Sequence, residues 1–155
     1  MNLFAYGTLM AAEGLKEALG PRSDAFVLRP ARLPGWRRIW NVYRPEWNGG
    51  VLNLEPSAPD VVVGILVEGL TEEDFARLDA HESTHLPREA VYVEPFDKAV
   101  VSAQIYRRRK GSHAGKPSGR YRAVVLERAY RAGWEVYESV CRGTVDSAGK
   151  PLVFG

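Results

Sequence analysis

Apolar positions along this chain recur with two periods, one of two residues and one of three to four. The first residues, Leu3-Phe4-Ala5-Tyr6, form a compact apolar run that stops at Gly7, which predicts a short buried strand entering a tight turn. Helix formers over residues 12–19 predict a short helix, ended by Gly20-Pro21. Residues 26–33 read as extended, limited by Pro30 and Pro34. Residues 35–43 alternate bulky and polar side chains, the period of a half-buried strand. A turn over residues 44–50 leads to a strand over 51–54, and a second turn is expected at 57–60. Residues 61–70 are the most apolar run, rich in β-branched side chains, and predict a central strand. Gly64 inside it marks a bulge or a close approach of backbones.

Thr71 reads as a helix N-cap, followed by Glu72, Glu73 and Asp74 in the first turn, where the helix dipole favours acid. The helix should run to about Glu82. Residues 90–93 and 100–106 alternate and predict a hairpin around residues 94–98. A polar loop over 107–116 follows. Ser118 is placed to cap a last helix, whose apolar positions Tyr121, Val124, Val125 and Ala129 have helical spacing. Gly133 should break or bend it. Strands outnumber helices, so the expected class is α+β, a sheet or small barrel carrying helices at its edge. One domain is expected over residues 1–142, with 143–155 as a C-terminal tail.

Composition narrows the partners. The 155 residues are 45% hydrophobic and 26% charged, ordinary for a globular domain, and the formal net charge of +2 does not itself call for nucleic acid. The basic group Arg107, Arg108, Arg109, Lys110, Lys116, Arg120 and Arg122 reads as a solvated loop before it reads as a nucleic-acid site. The first residues lack the pattern of a signal peptide, and no apolar run reaches the ~18 residues of a membrane span. A single cysteine, Cys141, rules out an internal disulfide and fits a cytoplasmic setting. Whether the chain forms a homodimer is left open.

Two stretches carry candidate chemistry. A strand–turn–helix step at Tyr6-Gly7-Thr8-Leu9 leaves backbone N–H groups pointing one way, a cradle for a carboxylate or an oxyanion. The same residues also serve as a first core strand and its turn. In Leu78-Asp79-Ala80-His81-Glu82, spacing puts Phe75, Leu78 and Glu82 on one helix face. Burial would raise the Glu82 pKa, with Asp79 pushing the same way, as a general acid/base requires. Alternatively Glu82 points to solvent or pairs with Arg88. His81 and His85 flank it and read as loop histidines, and no metal site is expected there, because a third protein ligand is missing.

Together, Tyr6-Gly7-Thr8-Leu9, then Val63-Gly64-Ile65-Leu66 leading to Leu78-Asp79-Ala80-His81-Glu82, and Pro117-Ser118-Gly119-Arg120-Tyr121 resemble the γ-glutamylcyclotransferase-like (AIG2-like) family over roughly residues 3–140. The resemblance implies a small mixed β-barrel with flanking helices. It implies an enzyme that cyclises a γ-glutamyl group to 5-oxoproline and releases an amine or amino acid. It assigns binding of the γ-glutamyl portion to Tyr6, Gly7, Thr8 and Leu9, the acid/base role to Glu82 and a substrate contact to Tyr121. The sequence departs from the family pattern at Leu86-Pro87, where an aromatic residue commonly precedes a basic one.

Such a reaction joins the substrate's own α-amine to its γ-carbonyl. It needs no protein nucleophile, and no metal or organic cofactor is called for. The expected partner is a small-molecule γ-glutamyl substrate, not nucleic acid or membrane. The competing expectation is a non-catalytic small-molecule binding or interaction domain that keeps the fold, with Trp36, Trp40, Trp47 and Trp134 as candidate exposed aromatics.

Overall fold

The computed structural model describes residues 1–82, 87–111 and 116–152. Its strands are β1 (Asn2–Ala5), β2 (Val27–Arg44), β3 (Gly49–Glu68), β4 (Arg88–Pro95), β5 (Val101–Tyr106) and β6 (Val145–Asp146). Its helices are α1 (Ala12–Leu19), α2 (Glu72–Glu82), α3 (Gly119–Ala132) and α4 (Trp134–Gly143). Strands pair in the order β3-β1-β5-β4-β2, and a β2–β3 ladder closes the ring into a barrel. The β1–β5 pair is parallel and the other four are antiparallel, so the barrel is mixed. This is the α+β barrel with flanking helices that the resemblance implies.

Strands β2 and β3 correct the expected segmentation. Each is one long strand, not two with a break. Pro30 and Pro34 were expected to limit a segment, yet β2 passes through both. The Pro30 carbonyl accepts from Phe96 N–H at 3.2 Å. In a strand, N–H and C=O of one residue point to the same side. Pro34, four residues on, therefore turns its missing N–H to that same side. There β2 pairs with β4 only at Ala31 and Arg32, so little ladder bonding is lost.

The turn expected at 57–60 is a bulge inside β3. Pro34 pairs with Val61 and Trp36 with Pro56, so residues 57–60 stand opposite Gly35 alone. The turn chemistry is present, with Ser57 Oγ donating to Asp60 Oδ2 at 2.6 Å, but the ladder resumes beyond it. Gly64 is a close approach, as expected: its position faces the Ala5 carbonyl and the Phe4 ring.

Helix α2 starts as its sequence predicts. Thr71 Oγ1 accepts from Asp74 N–H (3.2 Å), and Asp74 Oδ2 accepts from Thr71 N–H (2.8 Å), a reciprocal cap. Arg22 clamps the same carboxylate at 2.6 and 3.0 Å. Arg22 and the Thr71 donors hold the Asp74 pKa down at about 2. Asp74→Asn should therefore cost about 1–2 kcal/mol at neutral pH, discounted for the half-exposed Arg22. The sign is that of a depressed carboxylate: stability is present above pH ~4 and lost as pH falls through about 2. Urea unfolding across that window should show this loss in the wild type and a flatter profile in the variant.

Ser118 caps α3, accepting from Tyr121 N–H at 3.1 Å, and Gly133 (φ 128°) separates α3 from α4. Within the segment expected as a tail, β6 pairs with β2, and Leu152 N–H donates to Thr144 O at 2.9 Å. The core contains Trp40, which is 1% exposed and so corrects its reading as an exposed aromatic. Trp36 and Trp47 are half-buried, and Trp134 is exposed as expected.

Candidate active site

Strand β1 is held on both sides, by β3 and β5, so its last residue enters the turn from a fixed position. The chain leaves the sheet at Tyr6, passes Gly7 and closes a 3-10 turn, Thr8–Met10, with Met10 N–H on Gly7 O at 3.1 Å. Such a turn leaves its leading N–H groups without acceptors of their own. Glycine is required at position 7. An added Cβ there would lie 2.8 Å from the Tyr121 hydroxyl, so that hydroxyl sits directly over the loop.

Tyr121 is fixed from three directions. Ser118 caps its helix turn, and Trp40 and Trp47 pack edge-to-face on its ring at 5.8 and 5.1 Å. Burial pushes its phenol pKa upward, so it stays neutral and able to donate. Tyr6 is buried too, and its hydroxyl donates to the Tyr106 carbonyl. Tyr106 in turn donates its hydroxyl to Asp79 at 2.7 Å. Burial raises both phenols.

Glu82 closes α2 on the same face as the buried Phe75 and Leu78 and is itself 7% exposed, as the periodicity predicts. Burial raises its pKa. Arg44, whose Nη1 donates to Oε2 at 3.3 Å, and His81 pull it back down. The nearby carboxylate that adds to the rise is Glu46, which corrects the expectation for Asp79. Asp79 is engaged with Tyr106 and lies 3.8 Å from Arg88, so the Arg88 partner considered for Glu82 is Asp79's instead.

Tyr6, Gly7, Thr8, Leu9, Glu82 and Tyr121 all border one cavity of about 210 Å³. Three further lining residues, Arg44, Glu46 and Trp47, come from the tip of the β2–β3 hairpin, where the sequence predicts only a turn. Their local signal is slight: two charged residues and an aromatic one around Pro45. Their role depends on the tip reaching the start of α3, where Trp47 meets Tyr121, and the end of α2, where Arg44 meets Glu82. His81 lines the cavity from an exposed position, while His85 and Leu86 lie outside the described residues. In the basic group, Arg107 is buried against Glu89 (2.5 Å) and stacked on Trp36 at 4.8 Å. Arg120 stacks on Trp47 at 4.5 Å.

A mixed barrel with an amide-rich turn and a buried glutamate across one cavity defines the class. The family model described as gamma-glutamyl cyclotransferase, AIG2-like, matches residues 3–123. This chain belongs to that family. Among curated proteins none matches the chain. Among solved structures, an uncharacterized protein from Homo sapiens superposes with TM-score 0.77 at 19% identity, over 99% of this chain and 90% of that one. A gamma-glutamyl cyclotransferase gives TM-score 0.77 at 18% identity, over 90% of this chain and 84% of that one. A yeast gamma-glutamyl cyclotransferase specific to glutathione gives TM-score 0.52 at 16% identity, over 97% of this chain and 81% of that one. At these identities the likeness speaks for the fold.

Proposed function

We propose that the protein cyclises the γ-glutamyl group of a γ-glutamyl amine or amino acid to 5-oxoproline, with Glu82 as general acid/base. The observation that carries this reading is one shared cavity: the buried Glu82 and the Tyr6–Leu9 turn both border it.

In the proposed reaction the substrate folds so that its α-nitrogen meets its own γ-carbonyl carbon. Intramolecular reactions of this kind reach effective molarities of ~10⁵ M or more. A free α-amine has a pKa of ~8, so near neutrality it arrives largely protonated. Glu82 takes one proton as the nitrogen bonds to carbon. The loop N–H groups and the Tyr121 hydroxyl stabilise the oxyanion that develops on the carbonyl oxygen. Glu82 then passes that proton to the departing nitrogen as the old C–N bond breaks, and the still cationic ring nitrogen gives up its second proton, through Glu82, to the released amine, leaving neutral-ring 5-oxoproline and the protonated amine.

Arg44 sets the working range of the base. Its charge opposes the burial of Glu82, so Arg44→Met should shift the acidic limb of kcat/KM to higher pH, which a pH–rate profile will measure. A panel of γ-glutamyl compounds assayed for 5-oxoproline tests the reaction itself. A second reading, a non-catalytic binding domain, draws on the same Arg44–Glu82 pair as a structural ion pair. It predicts a folded protein that retains small molecules in the cavity and turns over none of the panel.

A further inference from the structure

Two arginines approach the cavity loop from behind, and the sequence gives no hint of either contact. Arg38, in the middle of β2, is 1% exposed, and its Nε donates to the Tyr6 carbonyl at 2.9 Å. Its remaining donors go to Val63 O (2.8 Å), Ser139 Oγ (2.9 Å) and Met10 Sδ (3.6 Å). Among the described residues none of these partners is a carboxylate, so its charge is not neutralised by an ion pair. Arg128, on α3, donates from Nη1 to the Thr8 carbonyl at 2.6 Å and from Nη2 to Glu17 at 3.1 Å. Helix α1 makes room for this contact at Gly14. An added Cβ there would press on the Thr8 carbonyl and lie 2.8 Å from Arg128 Nη1.

The geometry of the peptide turns these contacts into a statement about the cavity. The described residues contain one cis bond, Ala58-Pro59, so the loop peptides are trans, with C=O and N–H pointing in opposite directions. Holding the Tyr6 carbonyl fixes the direction of the Gly7 N–H. Holding the Thr8 carbonyl fixes that of the Leu9 N–H. The hydrogen bonds to these carbonyls are charge-assisted, which makes them stronger and better oriented than neutral ones. Positive charge behind a peptide also strengthens its N–H as a donor toward an anion in front.

We infer that Arg38 and Arg128 are positioning residues that clamp the loop from behind, aiming the Gly7 and Leu9 amides at an anionic or developing oxyanionic group in the cavity. This deepens the proposed function and rests on its reading of the loop. Each arginine governs one amide, so the two are separable.

The test is amide NMR of the intact chain titrated with 5-oxoproline, together with its uncharged analogue 2-pyrrolidinone. In the wild type the Gly7 and Leu9 resonances should respond to the carboxylate compound. Arg128→Gln should abolish the Leu9 response, keep the Gly7 response and weaken 5-oxoproline about tenfold, with the neutral analogue unchanged. Arg128→Lys should recover part of it. Arg38 is deeply buried and its variants are at risk of not folding. Glu17→Gln, which weakens the exposed second anchor of Arg128 and leaves every buried contact in place, therefore supplies the second variant and should reproduce the Arg128→Gln pattern in weaker form. A folded Arg128→Gln protein whose two amides respond as in the wild type would overturn the clamp. A wild type that makes 5-oxoproline but shows no response at these amides would overturn the clamp and leave the proposed function standing. A response at both amides without turnover would support the clamp and remove the catalytic reading.

Discussion

Glu82→Gln should lower 5-oxoproline formation by about 10³-fold, the range of a lost general acid/base, with little change in stability. The amide keeps the shape and can still accept from Arg44, but it can take no proton from the attacking amine. Stability should hold for two reasons. Arg44 keeps a second carboxylate, Glu46, at 2.5 Å. The substitution also removes a charge that burial disfavours, so the net change should stay within about 1 kcal/mol. The linkage sign agrees. With its folded pKa raised, Glu82 contributes stability below its unfolded value, and this is lost as pH rises through the folded value. Equal turnover in wild type and variant would mean that another group carries the proton.

A large loss of stability is expected at Gly64→Ala. In β3 this position sits between Ala31 of β2 and the end of β1. A Cβ would lie 2.5 Å from the Ala5 carbonyl oxygen and 2.8 Å from the Phe4 ring. Backbone in a closed barrel has little room to yield, so overpacking should cost about 2–3 kcal/mol. For a chain of this size that is a fall in melting temperature of roughly 5–10 °C. Because Ala5 leads directly into Tyr6 and Gly7, the displacement also reaches the cavity, and residual activity should fall with stability. Thermal unfolding by circular dichroism measures the first effect. An unchanged melting temperature would show that the barrel gives way more easily than its contacts suggest.

These two positions differ in how the sequence reveals them. Glu82 was legible because Phe75, Leu78 and Glu82 follow helical spacing, and two apolar members predict burial of the third. Gly64 was legible as a glycine interrupting a β-branched run. The long course of β2 and β3 was not, because Pro30, Pro34 and Pro59 carry the local signature of strand ends. Their tolerance depends on which side of the strand lacks a partner, and that is a property of the closed barrel. Trp40 shares the bulky phase of its strand with Trp36 and Val42, but its cover shows only in the fold, where α3 brings Tyr121 against it. Arg38 and Arg128 were illegible for the same reason: their partners lie 32 and 120 residues away in sequence. The hairpin tip that supplies Arg44 and Trp47 likewise reads locally as a turn. The resemblance named the loop, the glutamate and Tyr121, while tertiary contacts supplied what surrounds them.

The most direct measurement is the titration of the Glu82 carboxyl carbon by NMR, set beside the pH dependence of 5-oxoproline formation. One midpoint is expected in both, above the ordinary carboxylate range, because the same group binds the proton in each experiment. A Glu82 that titrates as an exposed glutamate, or a rate whose inflection follows a different group, would contradict it.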